Sequence, residues 1–215
     1  MHFCLLATLF LLIGSGLGYS SVNSGATKAL SLRAESTSLS LRIAPQTVKR
    51  KKRRLRAPDV IYYPTPPETV AEMLRLANVK QGDVLYDLGS GDGRIPIAAA
   101  KQFGIRAVGI EIDPKLIVEA ETNARNAGVA ELVRFRNEDM FHIDISEASV
   151  VTLYLSDKLN VLLRPKLLRE LKPGSRIISH DFRMGDWKPE QAVRVPWGKL
   201  YRTVYLWTVP SRKKI

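Results

Sequence analysis

An α/β fold built on a mainly parallel sheet is what this sequence predicts, and three observations carry the prediction. Residues 84–88 (VLYDL) form an apolar run of strand length that ends directly in a glycine-rich turn. Short apolar runs then alternate with helix-length amphipathic stretches from residue 84 to about 180, as parallel βαβ units require. The last 25 residues switch to strict two-residue alternation in two adjacent runs, the mark of an antiparallel hairpin.

Taken in order, residues 61–67 (IYYPTPP) carry three prolines. Thr65 is expected to cap a helix over residues 67–77, with Val70, Met73, Leu74 and Ala77 on one face. This stretch is expected either to fold over the glycine-rich turn as a lid or to serve as a plain entry to the helix. Residues 84–88 are the first strand. Gly89, Gly91 and Gly93 follow at alternate positions, and a helix runs over residues 95–103. Glycines allow positive φ and let a ligand approach the main chain. The amides that open the helix then face the carboxyl end of the strand.

The spacing G-x-G-x-G lacks the longer second gap of the dinucleotide fingerprint. Asp87, two residues before the first glycine, would repel a pyrophosphate but suits an ammonium group. A ligand with an amino-acid end, such as S-adenosylmethionine (SAM), meets that demand. The second strand is expected over residues 106–112 and carries Glu111 at its end, where acceptors hold a ribose diol. Asp113 and Pro114 start the next helix as N-cap and first-turn residue. A third strand over residues 132–136 leads to Asp139, placed to accept from an adenine amino group, with Met140 against the ring face. Residues 148–155 (ASVVTLYL) are the fourth strand and end near Tyr154. A helix follows over residues 157–171, and the fifth strand over residues 176–179 ends in His180 and Asp181. Residues 191–195 and 201–209 close the sheet as the hairpin.

Charge divides the chain. Residues 1–58 hold ten Lys/Arg and one acid, whereas residues 59–215 carry 23 basic and 20 acidic side chains. Residues 1–18, with an apolar run over 3–12, are read as a signal peptide or a targeting or anchor segment. Residues 19–58 are read as a disordered basic linker, and residues 59–215 as the folded domain. Export or membrane association is the expected location, with an organelle as the alternative, since residues 19–48 are rich in Ser, Ala and Thr and nearly free of acids. Residues 49–56 (KRKKRRLR) suit an anionic membrane surface. They carry no interleaved aromatic residues, so nucleic acid is not the expected partner. The one cysteine, Cys4, lies in the leader, and His2, His142 and His180 stand far apart. No metal site and no disulfide are therefore expected, and a monomer is.

The glycine-rich motif, the acid on the second strand and the terminal hairpin resemble class I SAM-dependent methyltransferases. That resemblance implies a Rossmann-like seven-stranded sheet with the last strand antiparallel. More narrowly, residues 63–66 (YPTP), 87–94 (DLGSGDGR), 152–155 (TLYL), 163–165 (LRP) and 179–182 (SHDF) are similar to a group of small protein-lysine methyltransferases. The group includes archaeal broad-specificity enzymes and mitochondrial enzymes acting on the ATP synthase c-subunit or the adenine nucleotide translocase. The similarity extends from about residue 61 to 208. It implies a SAM site at Asp87, Gly89, Ser90 and Gly91 for the methionine end, Glu111 for the ribose and Asp139 for the adenine. Tyr63 and Thr65 would close over the methionine end. A protein with an exposed lysine is the implied substrate. Tyr154 would orient the amine, and Asp181 would accept its proton or hold the incoming cation. The leader, more like an export signal than a mitochondrial one, departs from the mitochondrial members. A nucleic-acid or small-molecule methyltransferase and a non-catalytic SAM-binding protein are the competing readings.

Overall fold

The computed structural model describes residues 55–211, which lie in one compact unit, Lys51–Ile215. The leader and all but the last residues of the linker read above lie outside the described residues. Seven strands form one sheet in the order β3-β2-β1-β4-β5-β7-β6. They are β1 (Val84–Leu88), β2 (Arg106–Glu111), β3 (Val133–Asn137), β4 (Val150–Leu153), β5 (Arg176–His180), β6 (Gln191–Trp197) and β7 (Leu200–Thr208). The first five strands pair in parallel, and β7 inserts antiparallel between β5 and β6. The Rossmann-like expectation for sheet and hairpin therefore holds. Among the described residues four helices cover the sheet: α1 (Pro67–Leu76), α2 (Arg94–Phe103), α3 (Pro114–Asn126) and α4 (Asp157–Glu170).

Alternation along the strands builds two cores, one on each face. Leu85, Ile178, Val204 and Leu206 join Met73, Leu74 and Ala99 beneath α1 and α2. Tyr86, Leu88, Ile177, Tyr205 and Trp207 join Leu163 and Leu167 of α4 on the other face. Strand order reverses between β1 and β4, because the chain leaves β3 at one edge and returns to the middle. Parallel sheets bind ligands at such a switch point, outside the carboxyl ends of the strands.

Two local expectations change. Thr65 does not cap α1: Pro66 is the N-cap and no side chain caps it. The Thr65 hydroxyl lies instead 3.2 Å from Nδ1 of His180. β6 runs past Val195 through Pro196 to Trp197, which an edge strand tolerates because it need not donate from every residue. Asp113 does cap α3, its carboxylate accepting from the Lys115 amide.

The turn after β1 tolerates only glycine at its last position. Gly93 has φ of +80°, and a Cβ there would stand 2.4 Å from Phe135 and 3.0 Å from Ala120. Gly93→Ala should therefore lower folding stability by about 1–3 kcal/mol, through left-handed strain and the clash together. Urea unfolding measures the shift, and an unchanged midpoint would contradict this account of the turn.

Candidate active site

A cavity of about 430 Å³ opens at the carboxyl ends of β1, β2 and β4. Its floor is the turn after β1. The Glu111 carboxylate accepts from the amides of Gly91, Ile112 and Asp113, at 2.9, 2.8 and 2.9 Å. That carboxylate thus ties the glycine-rich turn to the end of β2. Thr65, Asp87, Gly89, Ser90, Glu111, Asp139, Met140, Tyr63 and Tyr154 all line the cavity. Gly91 does not: the Tyr62 ring lies against it, 2.3 Å from where a Cβ would be.

Asp87 is 2% exposed, and its carboxylate accepts from the Thr152 hydroxyl at 2.7 Å. Burial pushes its pKa up to about 8, against that hydrogen bond, and the Glu111 and Asp92 carboxylates push the same way. A buried carboxyl with acidic neighbours calls for a cation from the ligand. The Ser90 hydroxyl is buried without a hydrogen-bond partner. Both features fit the amino-acid end of SAM, an ammonium beside a carboxylate.

Arg56 and residues 58–65 form one wall of the cavity. Arg56 donates to both oxygens of Asp139, at 2.7 and 3.2 Å, pairs also with Asp59, and lies over the Phe141 ring. The two carboxylates raise the Arg56 pKa; burial pushes the Asp139 pKa up, but Arg56 and the Phe141 amide together bring it below its ordinary value. Two expectations shift as a result. The last arginine of the basic run is tied to the domain through Asp139 and Asp59. The domain boundary drawn at residue 59 also leaves out two residues of the cavity wall, Arg56 and Pro58. Farther along the wall, Arg94 grips Asp92 and donates to the Thr65 carbonyl at 2.9 Å. Tyr62 and Arg94 were not among the residues expected at the site. Arg94, next to the last glycine of the turn, was the more readable of the two.

The acceptor side is built from β4, β5 and β7. Tyr154 stacks on His180 with ring centroids 3.8 Å apart, and Phe182 lies beyond at 5.9 Å. Burial raises the Tyr154 pKa, against the pull of Arg202. Asp181, expected to meet the amine, is not on the cavity wall. Its Oδ1 accepts from the Thr203 amide and its Oδ2 from Arg202, at 2.8 and 2.9 Å. Asp181 takes a left-handed φ of +59°, and β7, returning beside it, holds it there.

This sheet order and this cavity define a class I SAM-dependent methyltransferase. The model of the ANTKMT methyltransferase domain matches residues 87–191. A protein-lysine N-methyltransferase of Saccharolobus islandicus is 45% identical over 73% of this chain and 98% of its own. An ATP synthase c-subunit lysine N-methyltransferase of Xenopus laevis is 30% identical over 72% of this chain and 66% of its own. A crystal structure described as an RNA methyltransferase from Salinibacter ruber, in complex with S-adenosyl-L-homocysteine, is 54% identical with a TM-score of 0.65. The match covers 71% of this chain and 96% of that one. The chain belongs to the small protein-lysine N-methyltransferase family within the class I SAM-dependent methyltransferases, and SAM is its methyl donor.

Proposed function

We propose that this enzyme methylates the side-chain amine of lysine in a protein. Tyr154 is the observation that carries the reading. It sits at the end of β4, where amino-directed base methyltransferases place D/N-P-P-Y/F, and residues 152–155 here read TLYL. A ring held flat on His180, with no proline-shaped slot beside it, suits a narrow aliphatic chain better than a planar base.

SAM, when bound, supplies an electrophilic methyl group on sulfur. Asp87, Thr65 and Ser90 would hold its amino-acid end, and Glu111 its ribose; Asp139 and Met140 would meet the adenine once Arg56 yields. Positioning is then the main task of the site. The amine must arrive without its proton, because an ammonium has no lone pair, and an aromatic, partly dehydrated entrance lowers its pKa. The Tyr154 hydroxyl stays protonated at neutral pH and can orient that lone pair by accepting a hydrogen bond from an N–H of the amine.

Tritiated SAM given to an extract holding both protein and RNA tests the assignment. Label is expected in methylated lysine after acid hydrolysis, rising from about pH 7 to about pH 9 as more amine is neutral. Label that nuclease removes would support the second reading, a nucleic-acid methyltransferase. The 54% identical relative described as an RNA methyltransferase favours that reading. SAM binding without any label would instead support a non-catalytic role.

The location is proposed on composition alone: an exported or membrane-associated enzyme, its basic run near an anionic surface, acting as a monomer. The apolar leader and the ten basic residues before position 59 support it.

A further inference from the structure

The buried histidine behind Tyr154 has contacts at both ends of the site. His180 closes β5 and has no solvent exposure. Its Nδ1 lies 3.2 Å from the Thr65 hydroxyl, on the donor side of the cavity. Its ring face lies 3.8 Å from Tyr154, on the acceptor side, with the planes 25° apart. Its Nε2 lies 3.5 Å from Oδ2 of Asp181 and makes no hydrogen bond.

We propose that His180 is a positioning residue that sets the Thr65 hydroxyl for the ammonium of SAM and seats the Tyr154 ring for the incoming amine. The proposal rests on the methyl-transfer reading above. Thr65 is set through the tautomer of the imidazole. A neutral imidazole carries its proton on one nitrogen and accepts on the other. The Asp181 carboxylate faces Nε2, which favours the proton there. Arg202 and the Thr203 amide anchor that carboxylate, so it does not turn away. Nδ1 is then the acceptor, and the Thr65 hydroxyl must donate to it. The Thr65 oxygen keeps its lone pairs, and Thr65 and Asp87 share the cavity wall as two acceptors suited to one ammonium. Arg94 adds a second hold by donating to the Thr65 carbonyl.

Burial holds the imidazole neutral, with its pKa down to about 4; Asp181 opposes the shift and Arg202 adds to it. The neutral ring is thus a weak proton acceptor. Asp181 also gains a role that its place off the cavity wall allows, the choice of tautomer.

Two substitutions separate the two functions. His180→Phe keeps a ring for Tyr154 and removes the acceptor for Thr65. It should weaken SAM binding about tenfold, the scale of one lost hydrogen bond, while kcat at saturating SAM stays within about threefold. His180→Gln keeps a polar partner and removes the ring face. It should leave SAM affinity within about threefold and lower kcat about tenfold. Thr65→Val should weaken SAM binding as His180→Phe does and add little in that background. Long-range ¹⁵N spectra should show the Nε2–H tautomer in the wild type and the Nδ1–H tautomer in Asp181→Asn. An Nδ1–H wild type, additive Thr65 and His180 effects, or both His180 variants losing affinity and turnover together would overturn the proposal. If the wild type labels no lysine, the acceptor reading fails, while the non-additive effect on SAM affinity still decides the role of His180.

Discussion

Asp87→Asn should weaken SAM binding roughly 30-fold, about 2 kcal/mol, the loss expected for a charge-assisted hydrogen bond in a buried site. In the free protein burial holds this carboxyl near a pKa of 8, far above its ordinary 3.8. A bound ammonium favours the ionised form, so binding drives the proton off. Affinity of the wild type should therefore tighten as pH rises from about 6 to about 8, by at most tenfold per unit. The variant should lose that dependence. Stability moves the other way. Between 3.8 and about 8 the folded state holds a proton at Asp87 that the unfolded state has released. Stability from this group is thus lost as pH rises through that window and levels off above it. Asp87→Asn should melt at a higher temperature than the wild type at about pH 9 and show no such advantage near pH 4. Calorimetry of binding and of unfolding reads both effects. A variant that binds SAM like the wild type would remove Asp87 from the site.

Tyr154→Phe should lower kcat about tenfold while the SAM dissociation constant stays within about twofold, the mark of a group that acts on the acceptor. The ring remains to stack on His180 and Phe182, so the entrance keeps its shape. What is lost is the hydroxyl, which burial keeps protonated. Single-turnover labelling of a lysine peptide, with SAM affinity measured separately, checks the split. Equal losses in affinity and turnover would place Tyr154 on the donor side. Unchanged turnover would make it a packing residue.

Much of the fold was legible because its signals are local. The run at residues 84–88, the three glycines and the cap at Asp113 each depend on neighbours within a few positions, and all appear where expected. Strand limits moved by one or two residues, as at β4, which is Val150–Leu153 rather than the whole apolar run from 148 to 155. Hydropathy marks burial there, whereas pairing with β1 and β5 marks the strand.

The site residues that sequence reading mistook or missed all have distant partners. Thr65 reads as a helix cap from its place before Pro66, yet its hydroxyl meets a histidine 115 positions away. Arg56 reads as the end of a solvated basic run, yet it grips Asp139 across 83 positions. Asp181 reads as a free carboxylate at the end of β5, yet β7 returns beside it and supplies Arg202 and Thr203. The chain by itself determined the α/β class, the turn that receives the donor and the acids that end β1 and β2, because backbone geometry and hydropathy period are properties of consecutive residues. Only the tertiary structure decided which carboxylates face the cavity and which are spent on arginines, because a charge is neutralised by whatever the fold brings within about 4 Å, at any separation along the chain.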